Sequence, residues 1–144
     1  MNPGFRLRFL ATLLVICMLL PLSPVMAASP SDIADHWAEQ AIERWIDLGI
    51  LKGYPDETIQ PDGLIKRAEF ASLVNRTFGF AKAEPAGFLD VEEDDWFKED
   101  LDKAKTARYL MGYPDNTVKP EDFITRQEAA VIFARLLDLR YSDG

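Results

Sequence analysis

Cysteine and histidine are almost absent, with one of each in 144 residues. A single cysteine cannot form an internal disulfide, and one histidine, His36, excludes most zinc sites and His-dependent triads. Cations are also scarce. The 16 Lys and Arg face 24 Asp and Glu, and no basic run offers a surface for phosphate backbones, so nucleic acid is excluded as a partner. No apolar stretch reaches the roughly 20 residues that a membrane-spanning helix needs. No nucleophile elbow, zinc signature or phosphate loop appears, so an enzyme is not expected, and nothing calls for a cofactor or a metal. The acidic run Glu92-Glu93-Asp94-Asp95 lacks the alternating spacing of a calcium-binding loop and reads as a solvated stretch.

What is present divides the chain. Residues 1–27 hold Arg6 and Arg8, no acid, a twelve-residue apolar stretch from Phe9 to Leu20, and then Val25-Met26-Ala27, a small-x-small cleavage pattern. This predicts a signal peptide, export, no retained transmembrane helix, and a mature chain beginning at Ala28. Cys17 lies inside the leader behind bulky Ile16, which disfavours a lipid anchor. Without the leader, 14 cations face 24 anions, for a net charge of -10.

The mature sequence repeats itself with a register of 59 residues. Asp35, Trp37, Leu51, Gly53, Tyr54, Pro55, Asp56, Thr58, Pro61, Ile65, Arg67, Glu69, Ala71 and Arg76 each recur unchanged at that distance. The chain therefore divides into two units, 28–80 and 88–139, joined by a Pro- and Gly-containing linker over 81–87, with a tail at 140–144. Within each unit the apolar spacing predicts two amphipathic helices. Their expected spans are 38–48 and 67–78 in the first unit, and 97–109 and 126–137 in the second. Between them lie Gly-Tyr-Pro-Asp turns, Gly53 to Pro61 and Gly112 to Pro120. Thr125 and Glu128 form a capping box, whereas Lys66 cannot accept the equivalent bond, so the second helix of unit one is expected to start about 1 kcal/mol less firmly. Glu57 and Asn116 come directly after the Tyr-Pro-Asp triplets. If the turn needs positive φ, Glu57 should leave the first turn the more distorted.

The order Asp-x-Trp, helix, Gly-Tyr-Pro-Asp, Pro, then Ile-x-Arg-x-Glu and a second helix closely resembles the S-layer homology repeat of bacterial envelope proteins. The pieces are Asp32-Ile33, His36-Trp37-Ala38, Gly53 to Asp56 and Lys66-Arg67-Ala68-Glu69. In the second unit they are Phe88 to Val91, Trp96, Gly112 to Asp115 and Thr125 to Glu128. The resemblance implies an all-α fold in which tandem helix-loop-helix repeats form part of a pseudo-threefold, three-lobed prism with glycan grooves between lobes. It implies noncovalent anchoring to the cell wall or S-layer, through acidic, often pyruvylated, secondary polysaccharide or through peptidoglycan. Such modules commonly have three repeats and this chain has two, so a missing lobe could come from another copy or another protein with these repeats. Assembly with repeats of another chain is accordingly the alternative function.

A carboxylated polymer must be held by local charge-assisted bonds, because the exported chain repels anions at long range. Arg67 and Arg126, at helix starts, are the candidate forks for a saccharide carboxylate. The alternative for each is a structural ion pair with Asp56 or Glu69, or with Asp115 or Glu128. Trp37 and Trp96 could stack on sugar rings, but their phase suits packing in the core or groove wall at least as well. Tyr54 and Tyr113 could line a groove or simply serve the turn. Asp56 and Asp115 could accept sugar hydroxyls or bond their own backbone. Lys66 and Thr125, beside the two arginines, complete the candidate set.

Overall fold

The computed structural model describes residues 30–139. The predicted signal peptide and the tail at 140–144 lie outside the described residues. The described residues form four α-helices and no strand: α1 Glu39–Asp47, α2 Arg67–Phe78, α3 Lys98–Thr106 and α4 Arg126–Leu136, with a 3-10 turn at Ser31–Ile33 before α1. None is long and apolar enough to cross a membrane.

The all-α, helix-loop-helix expectation holds, with small shifts at helix ends. α3 stops three residues short of the predicted 109 because Arg108 adopts a left-handed conformation, φ 63°, in the place that Gly49 takes after α1, φ 68°. The two Gly-Tyr-Pro-Asp turns have matching bonds. Tyr54 N–H donates to Thr58 O at 2.8 Å and Glu57 N–H to Tyr54 O at 3.0 Å; in unit two, Tyr113 N–H reaches Thr117 O at 2.7 Å and Asn116 N–H reaches Tyr113 O at 3.0 Å. The expected distortion at Glu57 is therefore corrected. Glu57 takes φ 66° beside 60° for Asn116, so it keeps the geometry and carries the strain itself.

The core lies at the junction of the two units. α2 packs on α3, burying Ala68, Ala71 and Val74 against Phe97, Leu101 and Ala104, and Phe88, Tyr109, Leu110, Val118 and Ile132 complete the cluster. Polar groups cross the same contact. Ser72 Oγ donates to Asp100 Oδ2 at 2.6 Å, the Asn75 amide to Asp100 Oδ1 at 2.8 Å, and the Tyr109 hydroxyl to Asn75 Oδ1 at 2.7 Å. Burial pushes the Tyr109 hydroxyl well above its ordinary pKa, so it stays a neutral donor. The linker is fixed onto α3, where Ala86 N–H donates to Asp102 Oδ1 and Lys105 Nζ to Ala86 O. By contrast α1 buries no residue fully.

Trp37 is 90% exposed and Trp96 62%. Of the two packed positions expected for them, core or groove wall, the core is thereby excluded. Both precede the first helical residue, Glu39 or Lys98, so the helical phase extrapolated back to them does not apply.

The start of α2 is also a correction. Lys66 supplies no side-chain cap, and its ammonium pairs with Glu121 instead. Only half of the capping box survives, Lys66 N–H donating to Glu69 Oε2 at 2.8 Å. Unit two supplies the rest: Arg67 N–H donates to Asp122 O at 2.9 Å and Ala68 N–H to Pro120 O at 3.0 Å, while Ile124 N–H donates back to Ile65 O at 3.0 Å. The helix start that looked weaker is held by the neighbouring unit's backbone.

Candidate functional site

The cleft between the units is built around Arg67. The start of α2 delivers its side chain into the junction, where it is only 5% exposed. Nε donates to Val118 O at 2.7 Å and an Nη to Glu128 Oε1 at 2.7 Å, and the guanidinium lies 4.9 Å from the Tyr113 ring centroid. The Lys119 ammonium stands 4.8 Å from the same ring. The Tyr113 hydroxyl donates to Glu128 Oε1 at 2.6 Å, and the Thr125 N–H and hydroxyl both donate to Oε2 at 2.9 Å.

Burial opposes ionisation of Glu128. The hydrogen bonds from Tyr113 and Thr125, with Arg67 beside it, outweigh that and hold its pKa at about 2. A folded-state pKa below the ordinary 4.5 adds stability that is complete above about 4.5 and lost as pH falls towards 2. Allowing for partial exposure, the contribution is about 1–2 kcal/mol. Denaturation at pH 7, 4 and 3 should accordingly show Glu128→Gln less stable than the unsubstituted chain at pH 7, with the difference shrinking across the acid range. A difference that widens on acidification would contradict this linkage.

Above the Arg67–Glu128 pair opens a cleft of about 220 Å³, bounded by Gly112 and Tyr113 on one side and by Gln127, Val131 and Arg135 of α4 on the other. Arg135 is exposed, with one Nη donating to Tyr109 O at 3.2 Å.

Of the candidate residues, the structure brings Arg67, Tyr113 and Thr125 together around Glu128. Arg126 is exposed and has no ion-pair partner among the described residues. Lys66 pairs with Glu121 across the junction. Asp56 and Asp115 each close their own turn: Oδ1 accepts the Thr58 or Thr117 hydroxyl at 2.7 Å and the corresponding N–H at 3.2 or 3.1 Å. Those bonds hold Asp115 below the usual carboxylate range. Tyr54 stands beside Glu69 in unit one; burial, then that carboxylate, raise its pKa. Trp37 is largely exposed beside the His36 ring, and Trp96, also exposed, stands edge-on to Phe97 of the core.

Two features escape a reading of the sequence, and two aspartates that lie within the quoted family pieces are given no role there. Arg135 recurs with Arg76 in the 59-residue register, which is a usable signal, but no motif surrounds it. Asp32 and Asp90 anchor the loops: Asp32 Oδ2 accepts Ile59 and Gln60 N–H at 2.9 and 2.7 Å, and Asp90 accepts Val118 and Lys119 N–H at 2.9 and 2.7 Å. They are 58 residues apart, one out of register, so self-alignment does not pair them. The Ser72, Asn75 and Asp100 network has no local signature at all.

Paired helix-loop-helix units that interlock through an arginine at the second helix define a small repeat module. The S-layer homology domain model matches residues 31–71 and 87–130, and the chain belongs to that family. It is 38% identical over 125 residues to cell surface glycoprotein 1 of Acetivibrio thermocellus, across 78% of this chain and 5% of that protein. It is 32% identical to the cellulosome-anchoring protein of the same organism, across 74% of this chain and 25% of the relative. An amylopullulanase of Thermoanaerobacterium thermosulfurigenes is 31% identical, across 76% of this chain and 6% of the enzyme. This chain thus spans a quarter or less of the length of these relatives. No solved structure matches it.

Proposed function

We propose that this two-repeat unit is a noncatalytic anchor that holds an exported protein to the bacterial cell wall or S-layer by gripping an acidic wall saccharide in the cleft between the repeats. The relatives support the anchoring part. A cell surface glycoprotein, a cellulosome-anchoring protein and an amylopullulanase share this segment as a minor part of much longer chains. What unlike proteins have in common through such a segment is attachment, not a reaction.

One observation carries the choice of ligand. Arg67 and Glu128 neutralise each other at the cleft floor, and Arg135 on α4 leaves one net positive charge at its mouth in an otherwise acidic chain. A planar guanidinium with free donors suits a carboxylate such as that of a pyruvylated sugar. Arg126, Trp37 and Trp96 are exposed and available for further saccharide contacts.

Cosedimentation with purified walls tests the reading. Binding should be lost when the secondary polysaccharide is stripped; undiminished retention would shift the ligand to peptidoglycan. Removing one charge-assisted contact costs about 1.5–3 kcal/mol, so Arg135→Ala should weaken retention roughly tenfold to a hundredfold. Melting should move only slightly, since one backbone bond at 3.2 Å is lost. Unchanged retention by Arg135→Ala would remove the cleft from the proposal.

A further inference from the structure

Lys119 brings a charge to the cleft wall that no acid among the described residues takes up. Lys66, Lys82, Lys98 and Lys103 each pair with a carboxylate, and Lys105 donates to the Ala86 carbonyl. Lys119 is exposed and does neither. Its ammonium stands 4.8 Å from the centroid of the Tyr113 ring, and Tyr113 forms one wall of the cleft. Asp115, whose carboxylate feels the Lys119 charge, is committed to the Thr117 N–H and hydroxyl. A ring attracts an ammonium without using up its three N–H donors, so the charge is held in place with its hydrogen-bonding capacity open.

The backbone beneath it is fixed from both sides. Lys119 N–H donates to Asp90 Oδ2 at 2.7 Å and the preceding Val118 N–H to Asp90 Oδ1 at 2.9 Å. The residue that follows, Pro120, is buried, and its carbonyl accepts the Ala68 N–H of α2. In unit one, Gln60 takes the same place at nearly the same φ, 53° beside 51°, with its N–H on Asp32. Its neutral amide turns back onto Thr58 Oγ1. The fold therefore asks for this loop conformation but not for a cation on it.

Two cations meet the Tyr113 ring, and they differ. Arg67, 4.9 Å from the centroid, is buried and neutralised by Glu128. Lys119 is exposed and keeps its charge. Arg135 supplies the other uncompensated charge, on the α4 wall. The cleft thus has one such cation on each wall, in a chain with far more acids than bases. A ligand with a single carboxylate satisfies one of them; a ligand with two anionic groups satisfies both.

We propose that Lys119 is a second anion contact of this cleft, so that the site selects a saccharide chain with an anionic group on more than one sugar, one held by Arg135 and another by Lys119. The inference rests on the reading of the cleft as a wall-saccharide site. A singly charged chain end engages one cation only, so the second contact discriminates in favour of a repeating anionic polymer.

Isothermal titration with purified secondary wall polysaccharide tests this, with Arg135→Ala as the reference variant. Lys119→Gln installs the residue that unit one already carries in this conformation, so thermal melting should not move. It should weaken binding of the polysaccharide about tenfold at low salt and flatten the fall of affinity with added salt. Lys119→Arg should bind like the unsubstituted chain. Hydrolysis fragments of the same polymer that carry one carboxylate should lose less affinity than the intact polymer on Lys119→Gln. A loss with Arg135→Ala but none with Lys119→Gln overturns the second contact and leaves the cleft reading standing. No loss with either variant removes both. An equal loss for the singly charged fragments overturns the selection of a multiply charged chain, because the two cations would then hold one and the same carboxylate.

Discussion

Replacing Arg67 with alanine is expected to lower the stability of the fold by about 3–5 kcal/mol, the usual cost of removing one partner from a buried ion pair. The side chain is almost wholly enclosed and joins unit one to Val118 O, Glu128 and Tyr113 of unit two. Alanine leaves the Val118 carbonyl and one Glu128 oxygen short of a donor and opens a void beneath the Tyr113 ring. For a fold of this size the melting temperature should fall on the order of 10–20 °C. Arg67→Lys should recover part of the loss, because an ammonium keeps the charge but cannot serve two acceptors with a planar fork. Arg126→Ala at the same motif position should cost less than about 0.5 kcal/mol in dilute solution, since the residue is exposed and unpaired among the described residues. Thermal denaturation of the three variants side by side checks this. Equal losses for Arg67→Ala and Arg126→Ala would mean that the Arg67 contacts contribute little.

That contrast marks where the sequence stops being informative. The two arginines share Ile-x-Arg-x-Glu, the same helix position and the same 59-residue register, so local reading treats them alike. Their difference lies in their neighbours: unit one has another repeat to lean on, and the described part of unit two has none. The helices themselves were legible, because apolar spacing and the Gly-Tyr-Pro-Asp turns are local signals, and α1 to α4 fall within three residues of the expected ends. Lys66 misleads for a related reason. A missing side-chain cap predicts a loose helix start only if no other acceptor arrives, and here the carbonyls of Pro120 and Asp122 arrive from more than fifty residues away. Trp37 and Trp96 mislead differently, since a periodicity valid inside a helix does not carry past its first turn. In the candidate site, Tyr113, Arg67 and Thr125 are all marked by their motifs, yet the residue that gathers them, Glu128, reads mainly as a helix cap. One of its oxygens serves the cap and the other takes Arg67 and Tyr113.

The same end-to-middle asymmetry sets the second large effect. Leu101 on α3 is fully buried against α2, so Leu101→Ala leaves a cavity at the centre of the junction and should cost about 2–5 kcal/mol. Its counterpart 59 residues earlier is Ile42, on a helix that buries no residue fully. Ile42→Ala should therefore cost less, about 1–2 kcal/mol, because Ile42 is only partly buried and its truncation opens no enclosed cavity. Urea denaturation of both variants gives the comparison, and similar losses would mean that α1 is packed as firmly as α3.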